Sequence, residues 1–231
     1  MPDSVESALV ESELVKSELV KTGLVESGLV ESALDSRAGS AVVTGDDGIP
    51  RCAWGSNDAE YRRYHDEEWG TPLHGDQPLF EKLSLEGFQA GLSWITILRR
   101  RPTFRLAFHD FDIDAVAALH DDDVERLMLD PGIIRNRAKI LATISNARLT
   151  RELISEDSGA LDRLMWSFAP PRRPSPPKGF GDVPAITPES TALSKRLRKL
   201  GFRFVGPTTL YALMQSSGMA DDHLEGCWRA S

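Results

Sequence analysis

Apolar and polar residues alternate in two different ways along the chain. Over residues 5–34 a five-residue unit repeats as VESAL, VESEL, VKSEL, VKTGL, VESGL and VESAL, returning a Leu-Val pair at every fifth position. Five residues turn an α-helix by about 500°, which walks successive pairs around the cylinder. In a strand an odd period sends them to alternate faces. Neither element gains a coherent apolar side, and Gly23 and Gly28 weaken a helix further. Residues 1–50 are therefore expected to be a low-complexity acidic extension and linker, disordered or loosely helical, outside the main body.

Residues 51–231 have the texture of a compact helical domain. Helices are predicted over 58–69, 78–91, 93–100, 104–108, 113–119, 122–129, 134–151, 161–168, 187–200 and 207–217. Asp58, Asp122 and Thr187 are the expected N-caps, each followed closely by an acidic residue. Valine-rich alternating runs bounded by turns are absent, so the fold class is read as all-α. The Pro-rich stretch 170–184 is expected to be a surface loop bridging two parts of the domain.

Charge sharpens this division. The chain carries 27 Lys plus Arg against 35 Asp plus Glu, a net −8, but residues 1–50 hold ten of the acids and only three of the bases. The body is left near −1, and a nearly neutral body with local basic clusters is compatible with nucleic-acid binding. No run approaches the roughly 18 apolar residues of a bilayer span, and the amino terminus lacks a secretory pattern. Two cysteines make no disulfide framework, so a monomeric protein of the reducing cytoplasm with no membrane partner is expected.

Three groups of residues could carry chemistry. Cys52 lies thirteen residues before His65, and His223 four before Cys227. Two thiolates and two imidazoles form a closed tetrahedral zinc set; a buried cysteine pair beside two ordinary histidines, or a disulfide, fits the same spacing. Trp54, Tyr61, Tyr64 and Trp69 crowd beside these positions, with Glu86 and Trp94 following. Such rings more often fill a core, and Glu86 can be a salt-bridged helix residue. Flat π faces near one carboxylate also suit a flipped cationic nucleobase. Finally, Lys195, Arg196, Arg198 and Lys199 precede LGFRFVGPTT, where Gly201, Val205, Gly206 and Thr208 mark a hairpin opening another helix. Backbone amides there can hold a phosphate, or the pair can simply pack the fold. Arg135, Arg137 and Lys139, and the triplet Arg99 to Arg101, are weaker candidates: they add phosphate contacts or only solvate a helix.

The motifs RCAW at 51–54, YHDEEWG at 64–70, LEGFQAGLSWITIL at 85–98, GIIRNRAKI at 132–140, ALSKRLRKLGFRFVGPTT at 192–209 and DHLEGC at 222–227 resemble those of the DNA-3-methyladenine glycosylase I family of bacterial base-excision repair enzymes. The resemblance spans essentially all of 51–227. It implies a helix-hairpin-helix glycosylase fold with one structural Zn2+ on Cys52, His65, His223 and Cys227, joining the two ends of the domain. It further implies double-stranded DNA containing alkylated bases as partner. Glu86 would accept hydrogen bonds from 3-methyladenine, and Trp94 would stack on the base with Tyr64 across from it. Trp54, Tyr61 and Trp69 would line the walls, and Leu92, beside Gly91, would approach the DNA near the lesion. Phe88 departs from the polar residue of the best-known members, and the repeat has no family counterpart.

Asp222 adjoins His223 and is expected to support that ligand instead of the reaction. With Asn136 after Arg135 and no lysine following Gly206, no Schiff-base step is expected, so the enzyme would be monofunctional. Two other classes compete with a lesion-specific hydrolase. One is a zinc-stapled DNA-binding protein without turnover. The other is a catalytic metal with Glu67 or Glu68 as base, which a full set of four protein ligands opposes.

Overall fold

A computed structural model describes residues 40–231; the pentapeptide repeat lies outside them. A short antiparallel hairpin pairs β1 (Val42–Thr44) with β2 (Pro50–Cys52), Val43 opposite Arg51. After a 3-10 turn at Ala53–Gly55, the chain forms α1 (Ala59–Glu67), α2 (Asp76–Gln89) and α3 (Trp94–Ala107). A second 3-10 turn at His109–Phe111 leads to α4 (Ile113–Ala118), α5 (Asp121–Leu129), α6 (Arg137–Ile154) and α7 (Ala160–Trp166). A third, at Phe180–Asp182, interrupts the Pro-rich loop before α8 (Pro188–Lys199) and α9 (Pro207–Ser216).

The body is mostly helical, with two departures from the sequence expectation. Part of the expected linker belongs to the folded body, because β1 pairs with β2 and Ala53 N–H donates to the Ala41 carbonyl at 3.0 Å. Three-residue strands are too short to show an alternating run. Pro102, expected to separate two helices, instead lies inside α3. A proline there removes one backbone hydrogen bond, but Ile97 and Leu98 before it and Phe104 after it are fully buried, holding both halves on one core.

The caps follow local chemistry. Asp58 accepts from Glu60 N–H at 2.9 Å and Tyr61 N–H at 3.1 Å, and Thr187 forms a reciprocal box with Ser190. The N-cap of α5 is His120, not Asp122; its N–H donates to Asp123 at 3.2 Å, so all three aspartates fall in the positive first turn. In α6 the Asn136 side chain accepts from Lys139 N–H, which starts that helix three residues later than expected.

At the centre lies α2, packed by α3, α6, α7 and α9. From Leu79 to Gln89 every residue but Glu81 is buried. Enclosure on all sides forces Lys82, Ser84, Glu86 and Gln89 inside along with the apolar residues, and buried polar groups require partners. Phe88, where the sequence departs from the best-known family members, packs with Phe104 and Phe108 at ring centroid distances of 4.7 and 5.8 Å, which makes it core. Among the described residues no helix is long and apolar enough to cross a membrane.

Candidate active site and metal centre

Cys52 ends β2, His65 sits in the last turn of α1, and His223 and Cys227 follow α9. One donor atom from each of Cys52, His65 and Cys227 lies within 4.8 Å of the others, all three residues buried. Cys227 Sγ is 3.4 Å from His65 Nε2, and Leu224 N–H points at Cys52 Sγ at 3.4 Å. Contact with the Cys52 thiol favours Cys227 as the thiolate, and the same contact with burial pushes Cys52 up. His223 stands outside the 4.8 Å set, with its ring centroid 5.1 Å from that of His65. Its Nε2 is buried and has no hydrogen-bond partner among the described residues.

Both imidazoles are oriented the same way. His65 Nδ1 lies 2.8 Å from Asp66 Oδ1, and His223 Nδ1 lies 2.8 Å from Asp221 Oδ1. A carboxylate on Nδ1 fixes that nitrogen as the donor and leaves the Nε2 lone pair for a metal. Asp66 resists the upward push of burial because Arg51 binds both its oxygens, which holds it down at about 2. Two glycines make room for the rings: a Cβ at Gly55 would sit 2.7 Å from His65 Cγ, and one at Gly70 (φ +74°) 2.5 Å from His223 Cε1. These residues fit a tetrahedral S2N2 metal in donor type, with three of the four donors gathered and the Nε2 of His223 unpartnered among the described residues.

The support for His223 therefore comes from Asp221, not Asp222. Asp222 is buried and faces the other way, accepting from Tyr211 OH at 2.5 Å and Gln215 Nε2 at 2.9 Å, with Arg173 Nε at 2.9 Å from its second oxygen. Neither glutamate proposed as a metal-linked base is suited to that task. Glu67 is exposed, and Glu68 is clamped by Arg101 and Arg63.

The aromatic set divides in two. Tyr64 and Trp94 face each other with centroids 5.6 Å apart and planes at 48°, both rings buried. Trp69 instead meets the His223 ring at 4.5 Å, and Trp54 packs edge-on to Trp69, His65 and Tyr61, with Tyr64 at 6.3 Å. Tyr61 uses its hydroxyl to accept from Ile95 N–H at 3.0 Å, anchoring the start of α3. Trp54, Tyr61 and Trp69 thus pack around His65, His223 and the start of α3, while Tyr64 lies against Trp94 and feels the charge of Glu86. Nor are Tyr64 and Trp94 a ready sandwich. A base between two parallel rings needs about 7 Å, two layers of roughly 3.5 Å contact, so a base stacks on one face or the rings part.

Glu86 is buried on α2 and accepts from Ser216 Oγ of α9 at 2.9 Å. Burial raises its pKa to about 7 against the opposing pull of Lys82 and the Ser216 hydrogen bond. Burial pushes Tyr64 well up, with the Glu86 charge adding to the effect. The Trp94 indole N–H is buried without a partner among the described residues. Lys82, absent from the sequence-level candidates, places its ammonium 5.2 Å from the Tyr64 ring centroid and 5.8 Å from that of Trp94. A separate cavity of about 510 Å3, lined by Arg173, Tyr211 and Asp221 among others, includes neither Glu86 nor the two rings.

The turn between α8 and α9 forms a rigid hairpin. Gly201 takes φ +98°, and Asn146 of α6 clamps Arg203 through its amide and carbonyl at 3.0 and 2.9 Å. Val205 is buried, and its carbonyl accepts from Ser194 Oγ at 2.6 Å, so it serves the turn's own packing. Gly206 is the N-cap of α9 and supplies no side-chain acceptor, while Pro207 and Thr208 open the helix. Lys195, Arg196, Arg198 and Lys199 lie on α8, with Arg198 and Lys199 exposed in its last turn. Leu92 is partly buried against the core, next to exposed Gly91 at φ +81°.

The other basic candidates are structural. Arg99 pairs with Asp58, Arg100 donates to the Pro131 and Ile133 carbonyls, and Arg101 grips Glu68 with two bonds. Arg137 pairs with Glu125, and Lys139 is buried with its ammonium on the Phe88 and Ala90 carbonyls. Arg135 remains exposed.

Comparison with known proteins places this geometry. The profile of the methyladenine glycosylase family matches residues 54–230. DNA-3-methyladenine glycosylase 1 of Escherichia coli is 46% identical over 181 residues, covering 78% of this chain and 96% of that protein. A crystal structure of a 3-methyladenine DNA glycosylase I superposes with a TM-score of 0.75 at 45% identity, covering 78% of this chain and 100% of the other. A substituted 3-methyladenine DNA glycosylase I, crystallised in complex with 3-methyladenine, superposes with a TM-score of 0.70 at 34% identity, over 77% and 96% of the two chains. The matched profile covers most of the chain and the relatives are spanned over nearly their full length, so the chain belongs to the methyladenine glycosylase family, enzymes that cleave N-glycosyl bonds.

Proposed function

We propose that the chain removes 3-methyladenine from alkylated double-stranded DNA by hydrolysing its N-glycosidic bond, with the base everted against Trp94 and Tyr64 and held by Glu86, and without a lyase step. The observation that carries this reading is a buried carboxylate whose charge reaches the buried Tyr64, itself packed on the buried Trp94 ring, with the Trp94 indole N–H unpartnered among the described residues. The relative bound to 3-methyladenine supports the choice of base.

Methylation at N3 makes the base a cation and thus a good leaving group. The C1′–N9 bond breaks with its electron pair moving onto the purine, which leaves neutral; the oxygen of water bonds to C1′ and a proton goes to solvent. The protein has little acid–base work to do. Eversion, stacking and a hydrogen bond from the exocyclic amine to Glu86 are its contributions. The exposed cations of α8 and the open first turn of α9 would hold the phosphate backbone without reading sequence, with Leu92 near the vacated stack.

Cys52, His65, His223 and Cys227 would hold one structural Zn2+, supported by the unpartnered Nε2 of His223 and the matching carboxylates on Nδ1. Four protein ligands leave no open position, so the ion supplies stability by tying β2 and α1 to the carboxy-terminal segment.

The test is release of free base from methylated DNA. Wild type is expected to release 3-methyladenine, Glu86→Gln and Trp94→Ala to be impaired, and undamaged DNA to be inert. DNA binding that weakens with salt but yields no free base would make the protein a binding module instead.

A further inference from the structure

Lys82 is a buried lysine that none of the roles above uses. It lies one turn before Glu86 on α2, 7% exposed, in a helix enclosed on every side. Its ammonium sits over both rings, at 5.2 Å from the Tyr64 centroid and 5.8 Å from that of Trp94. Burying such a group among apolar residues is costly, and methionine would fill the volume without that cost. The geometry assigns it a counter-charge.

We propose that Lys82 is a positioning residue of the base site, the resident cation that keeps Glu86 a carboxylate beside the two rings. This rests on the base-excision reading of the same site. A carboxylate that must accept from the exocyclic amine has to be ionised before the base arrives, yet its surroundings are those of a protein core. An i, i+4 ammonium on the same rigid helix supplies the compensating charge without opening the site to water.

The charges around the pair are consistent with this division. Glu68, beyond α1, is already clamped by Arg101 of α3 and by Arg63. Glu81 on α2 is paired with Arg105. From α6, Lys139 is engaged on the Phe88 and Ala90 carbonyls, and from α9 comes the neutral hydroxyl of Ser216. At the start of α2, Asp162 of α7 serves His74 and Gly75. Burial depresses the Lys82 pKa, with Glu86 and Glu68 opposing; for Glu86, Lys82 is the larger of the two influences that counter burial.

The experiment is a carboxyl NMR titration of protein carrying carbon-labelled glutamate, in wild type, Lys82→Met and Lys82→Gln, with Glu86→Gln to assign the signal. Loss of the ammonium should move the Glu86 midpoint upward by about one pH unit. In the base-release assay the acidic limb of kcat/KM should move with it, giving about a tenfold loss near pH 6 that disappears at alkaline pH. Lys82→Arg should restore the midpoint. An unchanged or lowered Glu86 midpoint, or a loss of activity equal at every pH, overturns the proposal while leaving base excision standing. A wild type that releases no base defeats the proposed function, and the titration still decides the role of Lys82.

Discussion

Lys139 reaches from α6 to the end of the helix that bears Glu86, and its ammonium donates to the Phe88 carbonyl at 2.9 Å. The Ala90 carbonyl takes a second bond from the same nitrogen, so one buried cation closes the carboxy-terminal end of α2. Lys139→Met would remove the ammonium from both acceptors, of which the Phe88 carbonyl is buried. Urea denaturation is expected to show a loss of about 2 kcal/mol, with the salt dependence of DNA binding unaltered. A variant of wild-type stability would show that these carbonyls do not need the ammonium.

The Glu86 carboxyl, raised by burial from 4.5 to about 7, makes a definite prediction for stability. Between those values the unfolded chain ionises there while the native chain keeps its proton, so the native state loses ground as pH rises. Below 4.5 the contribution is fully present, and above about 7 it has gone. The difference between wild type and Glu86→Gln should therefore grow in favour of the variant by on the order of 3 kcal/mol from about pH 4.5 to about 8. Denaturation at several pH values measures it. The more stable variant should also be the poorer enzyme, as expected where a site is held against its own solvation.

Under the proposed zinc reading, removing room beside His223 should act like removing a ligand. Gly70 takes φ +74°, and a methyl there would sit 2.5 Å from His223 Cε1. Gly70→Ala is expected to lower bound zinc per chain and the melting temperature together, as should His223→Ala and Cys227→Ser, while Glu86→Gln keeps its metal. Metal analysis alongside calorimetry distinguishes the two sets. Full zinc content in His223→Ala would remove that residue from the proposed set.

The exposed cations of α8 should contribute to affinity without contributing to lesion choice. Replacing Arg198 and Lys199 with Gln is expected to weaken binding to damaged and undamaged duplexes alike. The slope of log K against log salt should become shallower by about 0.9 for each phosphate that the variant no longer neutralises. Fluorescence anisotropy across a salt series reads both quantities. Equal affinity and slope in the variant would place the duplex elsewhere.

Local chemistry was legible in the sequence, and distant partnership was not. Thr187 before Pro-Glu-Ser and Gly206 before Pro207 state where α8 and α9 begin, because caps depend on neighbours in the chain. The structure brings Cys52, His65 and Cys227 together, sets Tyr64 close to Trp94 and buries Glu86. The arginines at 99–101 read equally as phosphate contacts or as a solvated helix, yet their partners lie 31 to 41 residues away, and nothing in a basic triplet reveals an acceptor at that separation. Pro102 misled for a related reason: its cost is local, whereas the burial that outweighs it is assembled from the whole core.

The histidine supports were harder to choose. Asp221 and Asp222 are adjacent acids, and only the turn of the backbone decides which reaches His223 Nδ1 and which points to Tyr211. Lys82 could be seen one turn from Glu86, but its significance depends on the enclosure of α2, which arises from four other helices.

A Cβ at Gly87 would stand 3.4 Å from that of Phe204, at the tip of the α8–α9 turn. The residue next to Glu86 is thus also the floor on which the α8–α9 turn rests. Under the proposed reading, this seat sets a fixed spacer between the grip on the sugar-phosphate rail and the slot awaiting the lesion. A methyl at position 87 would meet Phe204 in ordinary contact, whereas a longer side chain would lengthen that spacer and leave the two ends of the tool out of step.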